Sequence, residues 1–412
     1  MMRSTRSLTL GTVALGALVA ALVSHPAQSD PDNYSQVERG RYLAIAGDCV
    51  ACHTAAGGQP YAGGRDLATP FGTIMTANLT PDGATGIGRW TPDDFYRAMH
   101  EGKRPDGAQL YPAFPYPFYT KVTRADSDAI FAFLQQLPPT SNAVDRNTLP
   151  FPFNIRTAML AWNALFFTPG EFKPDPARSE EYNRGAYLTE SLGHCGACHT
   201  PMNVLGANKA SEAYQGNQIQ GWVAPNITND ERVGLGRWSA EDIVAYLKTG
   251  HNLQTAASGP MAEVVTYSTA EMKDADLHAI ATYLKERGTA GDTAPAAITA
   301  DDAQMQTGAA IYTDTCKACH TAVGTGISTI FPRLAGSQIV QQSDPTTLVR
   351  VVVQGSKSAV TGGDLTGPAM PSLGWRLSDE QVANVVTYIR NAWGNRAGRV
   401  SASDVAAIKK KL

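Results

Sequence analysis

All six cysteines of the chain fall in one repeated pentapeptide. Cys49-Val50-Ala51-Cys52-His53, Cys195-Gly196-Ala197-Cys198-His199 and Cys316-Lys317-Ala318-Cys319-His320 are three copies of C-x-x-C-H, each followed by a threonine. Two thiols three positions apart on an opening helical turn can reach the two vinyl groups of one haem. The next residue sets an imidazole under the iron, so one turn supplies both covalent attachment and proximal ligation. A redox dithiol would need a thioredoxin-like strand and helix, and would leave the adjacent histidine accidental. A zinc site needs four ligands, and each motif offers three. Disulfides between motifs would leave all three histidines without a role. The pattern therefore predicts three covalently attached haem c groups, bonded through Cys49, Cys52, Cys195, Cys198, Cys316 and Cys319, with His53, His199 and His320 as proximal ligands.

The rest of the chain repeats with the motifs. Glu38-Arg39-Gly40-Arg41-Tyr42-Leu43, Asn183-Arg184-Gly185-Ala186-Tyr187-Leu188 and Thr307-Gly308-Ala309-Ala310-Ile311-Tyr312 each lead into one motif. They read as short helices whose glycine permits close approach to another backbone. Ala77-Asn78-Leu79-Thr80-Pro81-Asp82 through Gly88-Arg89-Trp90 matches Pro225-Asn226-Ile227-Thr228-Asn229-Asp230 through Gly236-Arg237-Trp238, so the first two repeats are closer to each other than to the third. Each repeat also carries two amphipathic stretches, near Pro92–Glu101, Ala240–Thr249 and Pro345–Gln354, and near Arg124–Leu137, Lys273–Glu286 and Ser378–Trp393. Asp126 and Ser378 suit N-terminal caps. Strand alternation is slight. At 412 residues and 43% hydrophobic content the chain has room for about three domains with real cores. The expected fold is all-α: three tandem cytochrome c-like domains over residues 30–150, 175–289 and 300–396, with a tail at 397–412. Glycine- and proline-rich stretches at 138–152 and 288–295 read as linkers.

Met1 to Arg6 carries two arginines and no acid, Leu8 to Val23 is an apolar run, and Ala27-Gln28-Ser29 supplies small residues for a signal peptidase. Residues 1–29 are expected to be a cleaved signal peptide, too short in its apolar part for a spanning helix of ~20 residues. Export to the periplasm agrees with haem attached through thioethers. The net charge of −3, from 34 basic and 37 acidic residues, gives no footprint for nucleic acid.

A low-spin electron carrier takes a sixth ligand, and a methionine thioether raises the potential. Gly367-Pro368-Ala369-Met370-Pro371 and Ser258-Gly259-Pro260-Met261 occupy matching places, between motif and last helix, so Met370 and Met261 are the expected ligands. The first repeat instead reads Leu110-Tyr111-Pro112-Ala113-Phe114-Pro115, with Phe114 where the thioether would stand. His100, at the end of a helix, is the expected sixth ligand there, with Met99 and Met75 as the other candidates. His194, which precedes a motif, is a weaker candidate, and His251 and His278, on helix ends or faces, read as ordinary.

The three motifs, Arg184-Gly185-Ala186-Tyr187-Leu188 with Gly193-His194-Cys195, the Leu110-Tyr111-Pro112-Ala113 loop and Tyr388-Ile389-Arg390-Asn391-Ala392-Trp393-Gly394-Asn395 together resemble the triheme cytochrome c subunits of bacterial membrane-associated dehydrogenases. That group serves alcohol, aldehyde, gluconate, fructose and sorbitol dehydrogenases. The resemblance implies a periplasmic electron-transfer subunit at the outer face of the inner membrane. It would take electrons from a catalytic subunit of flavin, PQQ or molybdenum type and pass them to ubiquinone or a terminal oxidase. Phe114 departs from the methionine of the alcohol and gluconate branches and looks more like the cytochrome subunits that accompany molybdenum hydroxylases. Peripheral membrane contact through Val405–Leu412, with Lys409-Lys410-Lys411, is a weak expectation. By itself the chain is expected to oxidise no organic substrate. The competing expectation is a haem enzyme, peroxidase-like or ligand-binding, with an open first haem.

Overall fold

A computed structural model describes residue 1 and residues 31–145, 148–288, 291–363 and 367–412. The expected signal peptide, Met1 apart, lies outside the described residues. One arrangement recurs three times: a helix leads into a C-x-x-C-H turn, and a later helix crosses back over it. In the first unit α1 (Pro31–Ala46) is crossed by α3 (Arg124–Leu134), with α2 (Pro92–Glu101) between them in the chain. A separate helix, α4 (Ala158–Phe166), follows within what reads from sequence as connecting chain. The second unit has α5 (Glu180–Glu190), α6 (Ala240–Thr249), α7 (Pro260–Tyr267) and α8 (Asp274–Lys285), and α5 pairs with α8. The third has α9 (Ala303–Thr315), α10 (Thr346–Gln354), α11 (Asp379–Asn391) and α12 (Ala402–Lys409), and α9 pairs with α11.

The glycine before each motif sets these crossings. A Cβ added at Gly40 would stand 1.8 Å from the Ala129 carbonyl oxygen, at Gly185 1.9 Å from that of Ala279, and at Gly308 2.3 Å from that of Asn384. Any side chain there would force the paired helices apart. Capping boxes start α2 (Thr91 with Asp94), α6 (Ser239 with Asp242) and α11 (Ser378 with Gln381), as the sequence predicts for Ser378. Asp126 does not cap α3. Thr123 does, accepting from the Asp126 backbone N–H, and this frees the Asp126 carboxylate for other partners.

The chain is mostly helical, but the all-α expectation needs one correction. Three short antiparallel pairs are present: β1 (Asp66–Thr69) with β2 (Gly72–Met75), β3 (Asn217–Ile219) with β4 (Trp222–Ala224), and β5 (Ser356–Lys357) with β6 (Ala369–Met370). At two to four residues per strand, none is long enough to print an alternating pattern in the sequence.

Three hydrophobic clusters form the cores. The first gathers Leu43, Phe95, Met99 and Ile130 and takes in Tyr187 and Leu192 from the second unit. The second gathers Leu188, Trp238, Leu277 and Tyr283 and takes in Ala46 from the first unit. Phe172 packs against both. The third cluster draws only on residues from Ile311 onward. Its members include Val405 of α12, with Ile408 and Leu412 packed against it. The segment 397–412, a tail by sequence, thus folds back as a layer of the third unit, and the apolar residues expected to adhere to a membrane are engaged inside it. Among the described residues no helix is long and apolar enough to cross a membrane.

Candidate haem-attachment sites

Each motif forms a single turn of helix: Cys49–Cys52, Cys195–His199 and Lys317–His320. In the first two the residue before the first cysteine is left-handed, Asp48 at φ 52° and His194 at φ 33°. That reversal swings the chain from the leading helix into the turn, so both cysteines and the histidine leave from one short segment. All six thiols are unpaired with one another. Burial pushes Cys49 and Cys195 up to about 12, and Cys52, Cys198 and Cys316 up to about 11. A reactive dithiol needs its thiolate stabilised, so these environments oppose the redox-dithiol reading. Among the described residues no three His, Cys, Asp or Glu side chains converge as a metal cage.

The motif histidines share one geometry. His53 Nδ1 lies 2.7 Å from the Ala77 carbonyl, His199 Nδ1 2.7 Å from that of Pro225, and His320 Nδ1 2.8 Å from that of Pro332. A carbonyl can only accept, so Nδ1 carries the proton and Nε2 presents its lone pair. Burial lowers the pKa of all three imidazoles, with the carbonyl bond opposing, which favours the neutral ligating form. A buried imidazole fixed at Nδ1 beside two free thiols on the same turn fits a covalently held haem with a proximal ligand.

The repeated Asn-x-Thr segments gain a purpose from this geometry. Asn78 Oδ1 accepts from the Thr80 N–H at 2.9 Å and hydroxyl at 2.7 Å, and Asn226 does the same with Thr228 at 2.8 and 2.7 Å. Each turn pins the chain just past the carbonyl that holds the histidine. The third unit reaches the same end with a distant residue: Asn395 donates to the Leu334 carbonyl at 2.9 Å and accepts from the Gly336 N–H at 2.8 Å. The acceptor carbonyls went unread in the sequence because a backbone oxygen carries no residue signature.

The expected sixth ligands lie in different settings. Met261 stands in the first turn of α7, half-buried against Ala257, Val265 and Ala359. Met370 pairs with Ser356 and packs on the third core. Phe114 lies in the first core, its ring 5.2 Å from that of Tyr119. His100 stacks on Tyr96 at 4.9 Å, with Nδ1 3.4 Å from the Thr120 hydroxyl oxygen. Met99 is buried in the cluster against which Cys49 and Phe114 pack, and Met75 ends β2.

Comparison with known proteins bears directly on these sites. The family described as cytochrome c matches residues 37–138 and 305–393. The gluconate 2-dehydrogenase cytochrome c subunit of Pantoea cypripedii is 41% identical, over 100% of this chain and 96% of its own length. The alcohol dehydrogenase (quinone) cytochrome c subunit of Gluconobacter oxydans is 39% identical, over 96% of this chain and 86% of its own. The chain belongs to the family of dehydrogenase cytochrome c subunits. The fructose dehydrogenase cytochrome subunit of Gluconobacter japonicus is 35% identical, over 98% of this chain and 89% of its own. Membership accounts for covalently bound haem c and for a catalytic dehydrogenase as partner.

The cytochrome subunit also holds an arrangement the sequence did not announce. Arg39 binds Asp126 at 2.5 Å and Arg184 binds Asp276 at 2.7 Å, each within its own unit. Tyr42 of the first unit donates to Asp276 of the second at 2.6 Å, and Tyr187 of the second donates to Asp126 of the first at 2.6 Å. The residues just before the two motifs meet at the same seam. The Tyr119 hydroxyl donates to the Gly47 carbonyl at 3.2 Å, and its ring lies edge-on to His194 at 5.4 Å. Burial pushes His194 down to about 4, so this histidine is neutral at the seam. The Arg-Gly and Tyr-Leu repeats were visible signals, but only their matched positions in both units hinted at a reciprocal joint.

Proposed function

We propose that this subunit is a periplasmic triheme c-type cytochrome that relays electrons from a partner dehydrogenase to ubiquinone or the respiratory chain. Cys49, Cys52, Cys195, Cys198, Cys316 and Cys319 would hold the three groups, with His53, His199 and His320 as proximal ligands and residues 1–29 as the export signal. Three tandem cytochrome c domains over about residues 30–150, 175–289 and 300–396 accord with the repeated helix crossings. Bound haem supplies one-electron chemistry, its iron alternating between ferrous and ferric states. The protein's own part is to keep each imidazole neutral and fixed in orientation. The observation that carries the reading is the histidine–carbonyl bond, repeated at all three motifs. One relative's name includes quinone, which fits ubiquinone as acceptor.

Met261 and Met370 are the proposed sixth ligands of the second and third groups. His100 is proposed for the first, and the burial of Met99 beside Cys49 and Phe114 favours Met99 as a second reading. A pyridine haemochrome assay on the natively matured protein should count three haems per chain, and fewer would refute the triheme reading. Met261→Ala and Met370→Ala should each lower one potential in a redox titration. Loss of a low-spin resonance signal in His100→Ala would assign His100; loss only in Met99→Leu would assign Met99. A carbon monoxide shift of one haem in the reduced wild-type protein would support the competing haem-enzyme reading.

A further inference from the structure

The helix that carries Met261 is gripped by all three units. α7 has 8 residues and no side chain caps its start. Isolated helices shorter than ~12–15 residues are marginal in water, so the place of α7 is set by what packs around it. Its own unit supplies Trp222, so close to Gly259 that an added Cβ there would stand 2.4 Å from the ring. The third unit supplies Ala359, in the cluster with Met261, and the Val360 N–H, which donates to the Thr266 hydroxyl at 3.3 Å. The first unit supplies Arg65, whose guanidinium bonds in two directions. Nη1 donates to the Ala51 carbonyl, inside the first motif, at 2.6 Å, and Nη2 donates to Glu263 of α7 at 2.7 Å. Just past α7, the Ser268 hydroxyl donates to the Ala46 carbonyl of α1 at 3.4 Å.

We propose that Arg65 of the first unit is a positioning residue for the second haem, because by holding Glu263 it sets where α7 presents the Met261 thioether. This role rests on Met261 as the sixth ligand of the second group. Met261 and Val265, four residues apart, share one face of α7, and both join the cluster with Ala257 and Ala359. Glu263 lies about 200° round the helix from Met261, on the opposite face. The ion pair thus braces the back of the helix whose front bears the thioether. The brace is itself anchored: the Arg65 N–H donates to the Thr76 hydroxyl at 3.0 Å, and Ala51 belongs to the first motif turn. Groups behind a metal ligand fix its orientation and so the strength of its bond. The two side chains are 28% and 47% exposed, so water screens their attraction and the expected effect is modest. One side chain thereby ties the attachment turn of the first haem to the distal ligand of the second.

The test is imidazole titration of the oxidised, haem-loaded full-length protein, with a redox titration, haem content and melting temperature alongside. Added imidazole competes with the thioether, and the loss of the red absorption band of thioether-bound ferric iron follows the exchange. The haem whose signals change in Met261→Ala is the second one. Arg65→Gln and Glu263→Gln should each let imidazole displace that thioether at about fivefold lower concentration. Each should also lower that haem's potential and leave the third haem's unchanged. The double variant should go no further than either single one, and Arg65→Lys, which keeps the charge, should stay close to the wild type. The common sign separates positioning from a plain field effect. Losing a cation favours ferric iron and losing an anion favours ferrous iron, so a field alone would move the two potentials in opposite directions. Opposite shifts overturn the proposal. So does an unchanged imidazole affinity in either single variant, or a double variant in which the two effects add. If Met261→Ala leaves every potential unchanged, the ligand assignment itself fails and takes the proposal with it.

Discussion

The first two units and the third are built on the same glycine crossing and the same histidine–carbonyl bond, yet they are joined to the molecule in opposite ways. The first two interlock. Each lends residues to the other's core, and the Tyr42–Asp276 and Tyr187–Asp126 bonds cross the seam in both directions. The third unit's main core draws on its own residues, and it shares with the second only the small cluster of Ala257, Val265 and Ala359. Thr347 and Arg350 of α10 hydrogen-bond Val223 and Gly221 around the β3–β4 turn, and the Arg350 guanidinium lies over Trp222 at 4.6 Å. Residue identities explain the difference. Where the first two units have Tyr42 and Tyr187 two positions after the glycine, the third has Ala310, and where they have Asp126 and Asp276 it has Gln381, which is spent on capping α11. A helix pair without the tyrosine and the aspartate has no means of joining such an exchange. The motifs of the first two units are thereby held close together, while the third meets its neighbour through the β3–β4 hairpin, through Gln341 and Gln342 against Arg232 and Val233, and through Ser358 and Ala359 against Gly250 and Ala257.

The contrast breaks most visibly at the crossings. Gly185→Ala should destabilise the first and second units together by about 3 kcal/mol through overpacking, whereas Gly308→Ala should lower only the third unit's transition. Calorimetry of the haem-loaded protein reads this, and a Gly185→Ala transition confined to one unit would show that the two cores are independent. The reciprocal bonds come next. Tyr42→Phe and Tyr187→Phe should each cost about 2 kcal/mol, the usual worth of a hydrogen bond to a charged group. Their double-mutant cycles with Asp276→Asn and Asp126→Asn should give similar coupling energies, and unequal values would disprove the pseudo-symmetry.

Acid should sharpen the same comparison. Burial raises the Asp276 pKa, but the bonds from Arg184 and Tyr42 outweigh it and leave the carboxyl below its ordinary value. A depressed folded value means the contribution is complete above the ordinary carboxylate range and is lost as pH falls through the folded one. The melting temperature of the interlocked pair should therefore fall as the pH drops below the ordinary carboxylate range, and Asp276→Asn should flatten that fall. The smallest effect belongs to the pinned turns. Asn78→Ala, Asn226→Ala and Asn395→Ala should each loosen one histidine–carbonyl bond, reduce imidazole donation and raise one haem's potential. An Asn395→Ala variant that moves the first or second potential would mean the third unit is not insulated.

Much of this was legible in the residues. The C-x-x-C-H turns, the glycines before them and the bounds of α2 and α6 follow from local chemistry: a motif spacing, a missing Cβ, a capping hydroxyl and a carboxylate three residues on. Such features are complete within one or two turns of chain, so the sequence alone determined them, together with the family and the class of cofactor. What the tertiary structure decided was every partner choice made at long range. Asp126 read as a cap because caps are local, but it serves a tyrosine 61 residues away. The chain end read as a tail touching a membrane because apolarity does not say what it is buried against, and it became part of the third core. The β pairs and the histidine-holding carbonyls were decided the same way, because hydrogen bonds and burial join surfaces that only the folded chain brings together.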